Sequence, residues 1–247
     1  MSAFDKIAGI FERERKLPPD VPAAIRAALL GTGGSILEIG CGTGRFGAAF
    51  VAAGDDYLGV DLSLPMLREF EARAAEARLV CADGAHLPLA DASFDTVLMV
   101  HLTAAENLAA IVGEARRVLK RNGVLAMGRI ESPEDGIDRL MRRRLDEFVG
   151  QESRKRPGRD AARDLLASLP ARHEHIIAAE WIARRTPRDF ILRKQSAPGL
   201  AALAAPARQA ALRALADWAE DKFESLDASR EEEYRFALDL YRFGDAA

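Results

Sequence analysis

Apolar positions along the chain fall into two kinds of run. Five are short and continuous: SILEIG from Ser35, YLGVD from Tyr57, RLVCAD from Arg78, FDTVLMVH from Phe94 and GVLAMGRI from Gly123. Each is rich in Val, Ile or Leu and bounded by Gly, Asp or Asn, the pattern of strands buried on both faces. Between them, apolar residues recur at helical spacing. Met66, Leu67, Phe70 and Ala74 share one side of a segment that Ser63 can cap. Leu108, Ile111, Val112, Ala115, Val118 and Leu119 repeat up to an Asn122-Gly123 turn. Two helices are expected before the first strand: Phe4 to Phe11, broken at Pro18-Pro19, and Val21 to Leu30, ended at Gly31. Alternating strands and helices imply parallel strands with right-handed crossovers and helices on both faces. A ligand crevice then lies beyond the carboxyl ends of the strands.

The second half reads differently. Ile137, Leu140, Met141, Leu145, Phe148 and Val149 predict an amphipathic helix that Gly150 stops. Arg139 to Arg159 contains eight Arg or Lys against Asp146, Glu147 and Glu152, read as a solvated face. HEHIIAAEWI from His173 is a sixth strand, and an Ala-rich helical region runs from Ala201 to Phe223. Tyr234, Phe236, Leu238 and Leu240 alternate with Arg235, Ala237, Asp239 and Tyr241, which predicts a closing strand antiparallel to the sixth.

Composition narrows the class. With 247 residues, one large domain with extensions fits best. Lys+Arg 35 against Asp+Glu 38 gives a formal net charge of -3, so a broad basic face for nucleic acid is not expected. Two cysteines, Cys41 and Cys81, make neither a disulfide framework nor a cysteine-rich zinc site. The charged N-terminus lacks the apolar core of a secretory signal, and no uncharged apolar stretch reaches membrane-spanning length. A cytoplasmic protein is expected.

The chemistry concentrates in Ile36-Leu-Glu-Ile-Gly-Cys-Gly-Thr-Gly-Arg-Phe-Gly47. A buried strand runs into Gly40, Gly42 and Gly44 and then into a helix. A dinucleotide fingerprint starting at Gly40 needs glycine at 45, where Arg45 stands; starting at Gly42 it does place Gly47 last, so the Gly-rich turn alone is weak evidence, since dinucleotide-binding folds use such turns too. Glu38 lies at the end of the first strand, Asp61 ends the second and Asp83, followed by Gly84, ends the third. Three carboxylates around one turn repel a diphosphate and suit a nucleoside that carries positive charge.

This constellation resembles the class I S-adenosylmethionine-dependent methyltransferases, and more closely their small-molecule branch, typified by quinone-biosynthesis enzymes. The resemblance rests on LEIGCGTGRFG from Leu37, GVDLSLPML from Gly59, CADGAHLPLADASFDTVLMVH from Cys81 and EARRVLKRNGVLAM from Glu114, in the family's order. It implies a Rossmann-like, doubly wound α/β fold: a mostly parallel seven-stranded sheet with an antiparallel last strand and helical cap segments. Within a single domain, residues 1–33 would form a lid, 34–130 the cofactor-binding core, and 131–247 an acceptor cap with the last two strands.

The resemblance also implies S-adenosyl-L-methionine as cofactor, S-adenosyl-L-homocysteine as product, and a small-molecule methyl acceptor as partner. Its cofactor set comprises Glu38, Gly40, Cys41, Gly42, Gly44, Asp61, Leu62, Asp83, Gly84 and Val100. Glu38 would sit near the methionine ammonium and help fix the loop, Asp61 would take the ribose hydroxyls, and Asp83 with the Gly84 backbone would read the adenine edge. Val100 to Leu102 would line the sulfonium side.

Methyl transfer needs a base only when the acceptor is protonated. His101, directly after the fourth strand, is the candidate, with Glu106 and Asn107 as polar neighbours. His173 and His175 share one face of a strand, but no Cys or clustered acid completes a metal site, and no metal is expected. Trp181 and Trp218 are read as core residues and Cys41 as a small packing residue. The alternative to an enzyme is a non-catalytic or regulatory cofactor-binding protein with the same fold. A nicotinamide dehydrogenase fits less well, because no tyrosine has a lysine four residues later.

Overall fold

The computed structural model describes residues 17–32, 34–102, 107–149, 164–195, 200 and 203–244. The expected helix Phe4–Phe11, Gly150 and the Arg154–Arg159 part of the basic stretch lie outside them.

The elements follow the apolar pattern closely: α1 (Val21–Leu29), β1 (Ile36–Ile39), α2 (Gly47–Ala52), β2 (Tyr57–Asp61), α3 (Leu64–Arg73), β3 (Arg78–Cys81) and β4 (Phe94–Val100). They continue with α4 (Leu108–Val118), β5 (Leu119–Glu131), α5 (Ile137–Val149), β6 (Arg172–Arg185), α6 (Pro187–Gln195), α7 (Ala205–Phe223) and β7 (Arg230–Arg242). The seven strands form one sheet in the order β3-β2-β1-β4-β5-β7-β6. Only β7 is reversed, pairing antiparallel with both β5 and β6.

Two boundaries depart from the periodicity. Leu119 ends the helical repeat in sequence, yet in the structure it opens β5 and pairs with Phe94. The ladder shifts register between Phe94 and Thr96, and Asn122 is left-handed there (φ 66°). Along β7, Ala237 and Tyr241 are buried as well as Phe236, Leu238 and Leu240. An interior strand covered on both faces loses its polar alternation.

Register fixes the functional edge. Ile39 pairs with Val60 and Met99, Val60 with Val80, and Met99 with Met127, so β1 to β5 reach a common level at their carboxyl ends. One sheet face packs α4 through Ile111, Val112, Ala115 and Val118 against Leu37, Val97 and Leu125. The other packs α1 to α3 through Ile25, Phe50 and Phe70 against Ile36, Leu98 and Phe236. The last turn of α1 stands at the opposite, amino edge, where Arg26 grips Asp55 through two bonds of 2.6 and 2.8 Å. Residues 17–32 of the expected lid thus include α1, which packs on a sheet face.

A third core joins α5, α6 and α7 through Ile137, Met141, Phe190, Leu215 and Phe223. It stands on the β6–β7 hairpin, which continues to Arg185 opposite Arg230 after β5 has ended at Glu131 opposite Arg235. The joint between cap and hairpin is polar. Glu232 accepts the Ile137 N–H at 2.6 Å and the Tyr234 hydroxyl at 3.1 Å. Arg185 donates to that hydroxyl at 3.2 Å, and Asp138 pairs with Arg193.

Candidate cofactor and acceptor site

The glycine turn is built by strand β2. Val60 O accepts the Gly40 N–H at 2.7 Å and the Cys41 N–H at 3.1 Å, and Asp61 Oδ2 accepts the Gly42 N–H at 2.9 Å. Asp61 Oδ1 accepts the Ser63 N–H at 2.8 Å. Three successive amides are thus committed to β2 and form no nest for a diphosphate. Ser63 sits at the N-cap position of α3, but its side chain makes no capping bond.

The three glycines have different reasons to be there. Gly44 is left-handed (φ 76°), and a Cβ on it would lie 2.1 Å from the buried Phe70 ring. Gly42 is also left-handed (φ 55°), yet nothing lies within 4 Å of the place its Cβ would take. The turn therefore presents bare backbone to open space. Leu62, the residue after Asp61, is 63% exposed beside it.

Glu38 stands on β1, two residues before this turn. It is 1% exposed and accepts the Tyr57 hydroxyl at 2.6 Å. Burial pushes its carboxyl up to about 8, the Tyr57 bond opposes this, and nearby Asp61 adds to it. The reach of Tyr57 follows from register: Glu38 pairs with Gly59, whose missing side chain leaves room for the phenol two residues away. Cys41 is buried, and burial with Glu38 and Asp61 pushes its thiol far up, in keeping with a packing residue.

Asp83 follows β3. Its Oδ1 accepts the Ala85 N–H at 2.9 Å and its Oδ2 lies 3.2 Å from His86 Nδ1; together these hold it below the usual carboxylate range. Gly84 packs tightly on Ile39. The loop is clamped from α4. Arg117 binds Glu114 at 2.7 Å and the carbonyls of Leu89 (2.8 Å) and Leu87 (3.1 Å), while Glu114 accepts the Leu87 N–H at 2.8 Å. The Arg117 bond draws the Glu114 carboxyl down to about 2. Sequence reasoning missed this clamp, although Glu114 and Arg117 stand three apart on a predicted helix, a spacing that pairs opposite charges.

At the end of β4, Val100 is buried and His101 is exposed. His101 is left-handed (φ 58°), its N–H donates to Gly128 O at 3.0 Å, and its ring lies 6.5 Å from Phe46 on the glycine turn. The carboxyl edge thus gathers the glycine turn, Asp61, Leu62, Asp83, Gly84, Val100 and His101, with Glu38 buried on β1. Asn107 precedes α4, and Glu106 lies outside the described residues.

Elsewhere the structure corrects one reading. An acid does stand between the two strand histidines: His173 Nε2 and His175 Nδ1 lie 3.0 and 2.9 Å from Asp239 Oδ1. It was hidden because Asp239 comes from β7, 64 residues from His175 in sequence. Arg129 also pairs with Asp239, and no group of three His, Cys, Asp or Glu among the described residues is arranged to hold a metal ion. Trp181 stacks on Tyr234, and Trp218 meets Phe223 edge-on.

The sheet is doubly wound with one reversed strand, and it carries a glycine turn and a strand-end acid at its carboxyl edge, where such folds bind ligands. Residues 37–127 match the family described as the methyltransferase domain. A malonyl-[acyl-carrier protein] O-methyltransferase from Hamiltonella defensa is 30% identical over 140 residues, 53% of each chain. A demethylmenaquinone methyltransferase from Parafrankia is 32% identical over 134 residues, 45% of this chain and 52% of its own. The chain spans about half the length of these curated relatives. A solved SAM-dependent methyltransferase from Thermotoga maritima superposes with a TM-score of 0.57 at 19% identity, covering 97% of this chain and 98% of its own, a likeness of fold alone. Among the described residues no helix is long and apolar enough to cross a membrane.

Proposed function

We propose that the chain is an S-adenosylmethionine-dependent methyltransferase with a small-molecule acceptor. The observation that carries this reading is Asp61. Its carboxylate anchors the glycine turn at Gly42 and stands between the open space before Gly42 and the exposed Leu62. A carboxylate oxygen can accept more than one hydrogen bond, and a carboxylate at this place suits the two hydroxyls of a ribose. In this reading Gly40, Cys41, Gly42 and Gly44 receive the amino-acid end, and Leu62 covers the adenine face. Asp83 and Gly84 read the adenine edge, and Val100 lines the sulfonium side.

Once bound, the cofactor supplies a methyl group on a sulfonium, already a strong electrophile. What remains for the protein is to orient the acceptor in line and to exclude water. His101, exposed at the end of β4, is positioned to take a proton from a hydroxyl or carbon acid. The small-molecule class is supported by the name of one relative, a demethylmenaquinone methyltransferase, while another is named for a malonyl group on an acyl-carrier protein. In this reading helices α5 to α7 cover the acceptor. A cytoplasmic location accords with two free cysteines.

Thermal melts with S-adenosylhomocysteine and NAD test the binding half, since only a true ligand raises stability by mass action. A rise with the first and none with the second is expected. Isotopically labelled cofactor incubated with a metabolite extract tests the chemical half by mass spectrometry. Binding without any labelled product would make the chain a non-catalytic cofactor-binding protein; no binding would end the assignment.

A further inference from the structure

Resting on that cofactor reading, we infer that the buried Tyr57–Glu38 pair is a proton-coupled positioning device: Glu38 is neutral in the free protein and gives up its proton when a cationic ligand settles on the glycine turn. Three structural facts carry this. Glu38 is 1% exposed, so its charge has almost no water to stabilise it. The hydrogen bond it receives from a side chain is the Tyr57 hydroxyl at 2.6 Å. Among the described residues, the titratable groups that act on it are Tyr57 and Asp61 from β2 and Cys41 from the turn; Asp61 is a like charge, and the cation on the turn is Arg45, seven residues along, which packs over Phe46. Phe50 and Phe70, packed on either side of the Tyr57 ring, add only apolar surface.

A positive charge is what an adenosyl amino acid brings. The turn that follows Glu38 carries glycine at alternate positions, and nothing lies within 4 Å of the place a Cβ on Gly42 would take, so a ligand ammonium can approach the backbone there closely. In this low-dielectric setting an added cation favours the ionised acid strongly. Ligand binding then releases a proton, and affinity for a ligand that sets its ammonium on the turn rises with pH until Glu38 ionises unaided, at about 8. Tyr57 sets the position of that rise, because its hydrogen bond favours the ionised form. Its phenol also fixes the turn: a Cβ on Gly47 would lie 2.1 Å from the Tyr57 hydroxyl.

The sign for folding follows separately. The folded carboxyl lies above its unfolded value, so its contribution to stability is complete below about 4.5 and is lost as pH rises through about 8. The wild-type melting temperature, taken relative to Glu38→Gln, is therefore expected to fall across that window even without ligand.

Titration calorimetry with S-adenosylhomocysteine, in buffers of different ionisation enthalpy at pH 7, tests the inference. The wild type is expected to release close to one proton on binding. Glu38→Gln is expected to bind with release near zero and a flat affinity between pH 6 and 8. Tyr57→Phe is expected to move the rise in affinity to higher pH, with melting temperatures reporting that each variant is folded. Equal proton release by Glu38→Gln and the wild type would overturn the inference and leave the cofactor reading intact. No heat of binding by the wild type would overturn both.

Discussion

Alanine at position 44 is expected to remove about 2–5 kcal/mol of folding stability, and cofactor affinity with it. The expectation has two parts. The left-handed backbone at Gly44 (φ 76°) costs any residue with a Cβ about 1–2 kcal/mol. The new methyl would also lie 2.1–2.4 Å from three Phe70 ring atoms. Phe70 is fully buried and packed against Tyr57, so it cannot swing aside. Overpacking of this kind costs about 1–3 kcal/mol. Gly42→Ala is the matching control. It shares the left-handed backbone (φ 55°) but meets open space, so only the backbone part applies. Denaturant melts should rank the two variants clearly, Gly44→Ala far below Gly42→Ala. Equal stabilities would mean that the turn does not pack on α3 as described.

The second large effect is expected from Asp61→Ala: a loss of S-adenosylhomocysteine affinity of roughly a hundredfold or more, out of proportion to any loss of stability. The carboxylate accepts the Gly42 and Ser63 N–H groups, so its removal frees the turn and the start of α3 together. Hydrogen bonds to a charged group contribute about 1.5–3 kcal/mol each, and two lost to a ribose account for the factor. Asp61→Asn should fall between, because its amide keeps one acceptor but turns a donor toward an N–H. Calorimetric affinities for the three proteins check this order. An Asp61→Ala variant binding within threefold of wild type would remove the ribose assignment.

Much of the parallel half was legible because its signals are local. Each strand from β1 to β4 is a continuous apolar run ending in Gly, Asp or His, and each run appears within a residue or two of its expected span. What escaped depended on pairing across the sheet. Leu119 has helical spacing to Val112 and Ala115, yet its place opposite Phe94 makes it strand. Nothing near Asp239 in sequence points to His173 and His175; the β6–β7 ladder alone brings them together.

The site divides the same way. Asp61 and the glycines were readable from spacing at strand ends. The burial of Glu38 was not, because its neutral phenol partner reaches it only through the gap at Gly59. The left-handed His101 was equally hidden: a histidine after a strand carries no sign of its backbone angle until Gly128 O is seen to hold its N–H.

A crystal structure of the chain grown with S-adenosylhomocysteine bears most directly on all of this. The account predicts both sugar hydroxyls within hydrogen-bond distance of the Asp61 oxygens, the purine against Leu62, and the amino-acid tail over Gly40 to Gly44. A ligand bound away from the ends of β1 and β2, or a sugar out of reach of Asp61, would contradict it.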